Sequence, residues 1–173
     1  MSALTWPASQ LVGRLLMFLG PVAGLFAAAG AGIAPPGWFA ALVVVMAVGW
    51  AYFAESMFGT LCLALVLAWW GSAGLTDLPA EALVAALGLL VAHVAAVVVS
   101  YGPPEMEVDG PVARLWLGRG AAVFVAAPMV WLLTELLEGR PEPRGVWIAA
   151  MVALVAAAGV AAAAFGPIEE GPG

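Results

Sequence analysis

Two ionisable residues, His93 and Glu55, stand in otherwise apolar stretches and are the residues whose types best suit chemistry in this chain. His93 lies within the run Leu89–Ala95, where a neutral imidazole could relay a proton or bind a ligand. The carboxylate of Glu55 could bind a proton or a cation. Each residue also has a plain structural explanation. His93 could be a neutral histidine that is hydrogen-bonded to a neighbouring helix, and Glu55 could be a turn residue at a membrane surface. A role in transport would require both side chains to face one polar cavity.

The remaining polar residues do not suggest catalysis or a bound cofactor. Cys62 is the single cysteine, so an intrachain disulfide and a zinc-type cysteine cluster are both excluded. We find no glycine-rich phosphate loop, no Ser/His/Asp set and no paired histidine ligands, which predicts a non-enzymatic protein without catalytic, cofactor or metal site. The five basic residues are all Arg and form no basic patch, which excludes nucleic acid as a partner.

The composition indicates which elements must hold these residues. Of the 173 residues, 65% are hydrophobic and 9% are charged, with a net charge of -6. A soluble domain carries about 25% charged residues. A chain this apolar suits lipid as its solvent. We therefore expect an all-α, polytopic transmembrane bundle, with 1–173 as a single integral membrane domain.

Apolar runs separated by prolines, glycines and charges predict six membrane spans. A span needs about 20 residues to cross a hydrocarbon core of about 30 Å. The first run follows Arg14 and could pass for a signal peptide, but it is long enough for an uncleaved helix. Pro35-Pro36 and Gly102-Pro103-Pro104 end two of the runs. The predicted spans are approximately 13–33, 38–54, 57–72, 80–101, 113–137 and 145–165.

The count of six depends on the stretch 38–74. As a single helix it would measure about 55 Å and would place Glu55 near the bilayer centre, where a charge costs at least about 2.5–3.5 kcal/mol. A break at Glu55-Ser56 removes both problems and makes Ser56 the N-cap of the second helix. The two resulting spans are short, so a re-entrant hairpin is an alternative. Without the break the count falls to five and the C-terminus changes sides.

Small and basic residues predict how the spans pack and orient. Small residues recur every four positions on one face of the first span, which favours close helix–helix contact within the protein or between copies; they are Gly20, Gly24, Ala28 and Gly32. Arg114 and Arg119 are predicted to reach lipid head groups or to anchor the orientation. With six spans, these two and Arg14 share one side, which favours cytoplasmic termini in a plasma-membrane protein.

The layout resembles a family of small actinobacterial multi-spanning membrane proteins. The resemblance rests on Ala54-Glu55-Ser56, Ala68-Trp69-Trp70-Gly71, Val91-Ala92-His93, Ser100-Tyr101-Gly102-Pro103-Pro104 and the Arg114…Arg119 entry to a further span. The absence of Lys beside abundant Ala, Gly and Val also suits a GC-rich genome such as those of actinobacteria. Members of that family are often encoded beside MoxR-type AAA ATPases and von Willebrand-type-domain proteins. The resemblance implies an accessory role in an envelope complex.

Two functions follow as hypotheses. The first is a non-enzymatic accessory or scaffold subunit that acts through helix packing with a membrane protein partner or with its own copies, with the lipid bilayer as its surroundings. The second is a small transporter or channel that uses His93 and Glu55 as proton or ion sites.

Overall fold

The computed structural model describes residues 6–75 and 78–137, together with Val152 and Val155. The described residues are helical or lie in turns, which confirms the all-α prediction for this part of the chain. Its helices are α1 (Ala8–Gly30), α2 (Gly37–Tyr52), α3 (Met57–Ser72), α4 (Glu81–Val99), α5 (Gly110–Phe124) and α6 (Ala126–Leu137).

The helices α1 to α5 run alternately up and down between two ends of the bundle, and α6 continues the direction of α5. We call the end at which α1 begins the near end and the other the far end. Along the antiparallel contact of α1 with α4, Gly13 meets Val99 at the near end and Gly30 meets Glu81 at the far end. At the far end the indole of Trp69 also donates to the carbonyl of Ile33 (2.8 Å).

The contact between α1 and α4 depends on glycine. A Cβ on Gly20 would lie 2.6 Å from the Cβ of Ala92 and would clash with the carbonyl oxygen of Gly88. Only glycine therefore allows the two backbones to approach this closely. Gly24 and Ala28 continue the buried face. The structure thus places three of the four predicted small residues in helix packing.

Gly32 does not belong to that packing face, because it lies beyond the end of α1 and a Cβ there would meet nothing within 4 Å. Its φ of +78° is left-handed. The N–H groups of Gly32 and Ile33 donate to the carbonyls of Ala29 (3.1 Å) and Ala28 (2.9 Å). These bonds form a Schellman motif, so Gly32 ends the helix.

The central core lies among α1, α2, α3 and α4. Its members are aliphatic or aromatic apart from Cys62, and they are Leu25, Phe39, Val43, Cys62, Val66 and Leu89 with Ala47. Cys62 is fully buried and its thiol donates weakly to the carbonyl of Val43 (S···O 3.7 Å). Cys62 thus serves as a small apolar member of the core.

The break at Glu55-Ser56 is present, since α2 ends at Tyr52 and α3 begins at Met57. Three helical stretches are long and apolar enough to cross a membrane: Ala8–Gly30, Glu81–Val99 and Gly110–Leu133. The helices α2 and α3 have 16 residues each, which is about 24 Å and short for a full span. Helix length therefore supports three of the six predicted spans.

Proline shapes the last described stretch. The helical pattern is interrupted at Val125, between α5 and α6 and three residues before Pro128. Pro128 has no N–H to donate to the carbonyl of Phe124, and this missing hydrogen bond explains the interruption. Chain contacts divide the protein into two units, Met1–Leu136 and Leu137–Gly173. Within the predicted span 145–165 the structure describes Val152 and Val155 alone, both helical and exposed.

Candidate functional site

A groove of about 560 Å³ lies between the α2–α3 turn, the first turns of α3 and the last turns of α4. We call it the polar groove. Its polar lining comes from all three elements and comprises Glu55, Ser56, Thr60, His93, Ser100 and Tyr101. The structure thus brings together the two residues that sequence analysis selected for chemistry, although 38 positions separate them in the chain.

The α2–α3 turn holds Glu55 at the near end of the bundle. Ser56 has extended backbone angles at the start of α3, as expected of an N-cap, but its side chain caps no N–H. Its hydroxyl instead donates back to the carbonyl of Phe53 (2.5 Å), which also accepts the N–H of Ser56 (3.0 Å). The position predicted for Ser56 is confirmed and the bond predicted for its hydroxyl is corrected: Ser56 closes the turn from within.

The floor of the groove is formed by Trp50, which is 3% exposed. Its indole lies against Gly59, where any Cβ would clash with the ring. Gly49 offers a similar gap to the ring of Phe58, whose nearest atom would lie 3.1 Å from a Cβ at position 49. These two glycines let α2 and α3 pack closely through aromatic rings, which fixes the width of the groove.

His93 projects from the face of α4 that is turned away from α1. Its neighbours Ala92, Ala95 and Ala96 are buried toward α1, whereas His93 is exposed. It precedes the last residue of α4 by six positions, so it lies about 9 Å below the near end. The imidazole therefore lies within the length of α4 but in an open groove, and not in the buried core of the bundle.

Within the described part of the chain, the side chains of His93 and Glu55 make no hydrogen bond or ion pair with the protein. Within this part of the chain, His93 is therefore not a histidine that is hydrogen-bonded to a neighbouring helix. Hydroxyls of Thr60, Ser100 and Tyr101 share the groove. An imidazole, a carboxylate and hydroxyls can exchange protons or bind a polar or cationic group.

Arg14 positions the near end of α2, and sequence analysis missed this role. It is 6% exposed, and its Nη1 donates to the carbonyls of Ala51 (2.6 Å) and Tyr52 (3.1 Å). A cation at a helix C-terminus also matches the helix dipole. The guanidinium lies 4.1 Å from the ring centroid of Trp6. Because the turn with Glu55 follows directly, Arg14 helps to position one wall of the groove.

A signal for Arg14 was available in the sequence. Trp6, Gln10 and Arg14 recur every four residues and so share one helix face. Gln10 is 2% exposed. Among the described residues, neither the Oε1 of Gln10 nor the Nε of Arg14 has a hydrogen-bond partner. The same face continues into buried Met17. Charged and amide side chains on a buried face indicate a bond to another element, but they do not say to which one.

The two arginines of α5 have different surroundings. Arg114 is exposed. The guanidinium of Arg119 lies 5.1 Å from the ring centroid of Trp116. That ring in turn lies 6.3 Å from the ring of Tyr101, which lines the polar groove. Arg119 is therefore part of an aromatic contact beside the groove, while Arg114 is exposed on α5.

No protein-family model, curated protein or solved structure matches the chain. Among residues 6–75 and 78–137, no group of three His, Cys, Asp or Glu side chains could hold a metal ion.

Proposed function

We propose that this protein is an integral membrane accessory or scaffold subunit and that the polar groove is the surface by which it recognises a partner. The observation that carries the proposal is the outward position of His93, about 9 Å inside the span, without a bond to the described part of the protein. A polar side chain facing lipid is costly. Water or a polar group from a partner helix would remove that cost.

The membrane setting is supported by the three membrane-length apolar helices. It is also supported by large apolar side chains that point outward on every described helix, such as Phe26, Val45, Leu67 and Leu117. In lipid these side chains need no cover. The near end, which carries Arg14 and Arg114, is the cytoplasmic end in this proposal.

The test is co-purification of the full chain from native membranes in mild detergent, followed by mass spectrometry. We compare the wild type with His93→Leu, which makes the groove apolar. The matched control is Val84→Ala, on the same helix at an exposed position outside the groove. Loss of a defined partner with His93→Leu alone supports the proposal. Recovery of the wild type as a lone monomer in several mild detergents contradicts it.

The shared groove also favours a second candidate, a small transporter or channel, because His93 and Glu55 line one cavity. Against a continuous path, Trp50 and Leu63 close the groove on the inside, and the buried cluster of Val43, Cys62 and Val66 lies farther along the bundle. Proton or cation flux into liposomes that is lost in both Glu55→Gln and His93→Ala would favour transport over the scaffold. Absence of flux in the wild type would exclude it.

A further inference from the structure

We propose that a second, apolar cavity between α1, α4 and α5 binds one acyl chain of an anionic phospholipid, whose head group is held by Arg114. The inference rests on the membrane setting but not on the polar groove or on any protein partner. The cavity has a volume of about 620 Å³. We call it the acyl cavity.

The lining of the acyl cavity is almost wholly aliphatic. Leu16, Leu90, Val94 and Leu117 represent the three helices that form it. The hydroxyl of Ser9 also lines it, but that oxygen already accepts the N–H of Val108 (3.1 Å). A buried water needs about two to four polar partners, so a cavity lined by one hydroxyl and otherwise by apolar side chains does not hold water well and takes an apolar ligand. The chemistry of the walls therefore favours a hydrocarbon chain.

Small residues keep the helices that line the acyl cavity in contact. A Cβ on Gly120 would lie 3.0 Å from Val94 Cγ2, so α5 touches α4 there. Gly13 touches Val99 even more closely, which joins α1 to α4. Between these contacts the side chains are too short to fill the space, as at Ala95 and Ala121. The hollow is thus set by the helix contacts themselves.

The length of the acyl cavity suits one lipid leaflet. Its lining on α4 extends from Leu87 to Val99, which is about 18 Å along the helix axis. Half of a hydrocarbon core measures about 15 Å. A helix from a partner or a second copy would cross the whole core and would need a groove nearly twice as long. An acyl chain entering from the near end matches the observed length.

One cation at the near end of the cavity, Arg114, is placed to hold the phosphate of the head group, although the carboxylates of Glu107 and Asp109 flank the lining residue Val108 at the same end. Arg114 precedes the lining residues Leu117 and Ala121 by three and seven positions, so it lies on the same face of α5. Side chains of a helix lean toward its N-terminus, and α5 begins at the near end. The exposed guanidinium therefore reaches the level of the head groups, where it can donate two hydrogen bonds to a phosphate.

The experiment measures lipid binding to the purified full-length protein by native mass spectrometry after delipidation, with phosphatidylglycerol and phosphatidylcholine as probes. We expect phosphatidylglycerol to bind more tightly, and Arg114→Gln to weaken its binding about fivefold. The same substitution should weaken phosphatidylcholine less, because the choline cation offsets the phosphate charge that Arg114 meets. Ala121→Trp fills the cavity and should weaken both lipids. Gly118→Trp, on α5 where a Cβ meets nothing within 4 Å, is the matched control and should bind as the wild type does.

Three results would overturn the proposal. One is equal binding of the two lipids with no effect of Arg114→Gln. Another is equal loss of binding in Ala121→Trp and Gly118→Trp. The third is a change of oligomeric state in Ala121→Trp with lipid binding intact, which would assign the cavity to a second copy. Circular dichroism of each variant distinguishes loss of lipid binding from loss of fold. If Ala121→Trp fails to fold, Arg114→Gln at its exposed position still tests binding of the head group. Because the assay contains no partner protein, its failure differs from failure of the scaffold proposal.

Discussion

Replacing Gly20 by alanine should destabilise the protein, because α1 and α4 meet backbone to backbone at this residue. The new Cβ would lie 2.6 Å from the Cβ of Ala92 and against the carbonyl of Gly88. Carbon atoms pack at about 3.5–4.0 Å, so the helices must separate by about 1 Å. The carbonyl of Gly88 is backbone and cannot rotate away, which leaves helix displacement as the only relief.

The magnitude follows from two opposing effects. Overpacking of a tight contact costs about 1–3 kcal/mol, and a contact with backbone belongs in the upper part of that range. Alanine favours the helix over glycine by about 0.8–1.0 kcal/mol. The free energy of unfolding should therefore fall by about 1–2 kcal/mol, which lowers the melting temperature by about 2–8 °C in a chain of this size.

The assay is thermal unfolding in detergent followed by circular dichroism or tryptophan fluorescence. Gly118→Ala is the matched control, since it places the same methyl group on a helix where nothing lies within 4 Å. It should leave the melting temperature unchanged or raise it. The double variant Gly20→Ala/Ala92→Gly should recover only part of the loss, because the Gly88 carbonyl remains. An unchanged melting temperature in Gly20→Ala would refute the close approach.

Two further predictions use the same measurement. Arg14→Met should lower the free energy of unfolding by about 1.5–3 kcal/mol, because it removes both hydrogen bonds that Nη1 donates to the carbonyls at the end of α2. Arg114→Met, at an exposed position, should change the free energy of unfolding by less than about 0.5 kcal/mol, and equal effects of the two substitutions would contradict the buried role of Arg14. Gly32→Ala should lower the free energy of unfolding by about 1–2 kcal/mol, because φ at this residue is +78°. Gly37→Ala, where a Cβ meets nothing within 4 Å, should leave it unchanged. An unchanged free energy of unfolding in Gly32→Ala would contradict the Schellman motif.

Sequence reasoning found the helix boundaries where the physical constraint was local. The helices α2 and α3 begin and end within about two residues of the predicted limits, since a single helix over 38–74 would have been too long and would have carried a charge into the bilayer centre. The spacing of Gly20, Gly24 and Ala28 likewise indicated a packing face. Gly32 has the same spacing, but the prolines that follow it were the better guide to its role as a cap.

What the sequence did not indicate was which elements meet. Gly88 packs against Gly20, and Gly88, Ala92 and Ala96 recur every four residues on α4 as small residues do on α1, but the spacing within each helix does not say that these two faces meet. The meeting of His93 with Glu55 depends on where α4 docks beside the α2–α3 turn, and a pattern within one helix carries no such information. The acyl cavity arises from contacts at Gly13 and Gly120 on different helices, so no single segment predicts it.

In the proposed membrane setting, the buried Arg14 also constrains how the chain enters the bilayer during synthesis. Arg14 donates its hydrogen bonds to the carbonyls of Ala51 and Tyr52, which lie nearly 40 positions later in the chain. These two residues are not yet made when α1 first emerges from the ribosome. Until then the face with Gln10 and Arg14 has no protein partner and must remain at the aqueous surface or in the translocation machinery. Final seating of α1 is thus coupled to completion of α2, which makes the first two helices a single unit of insertion.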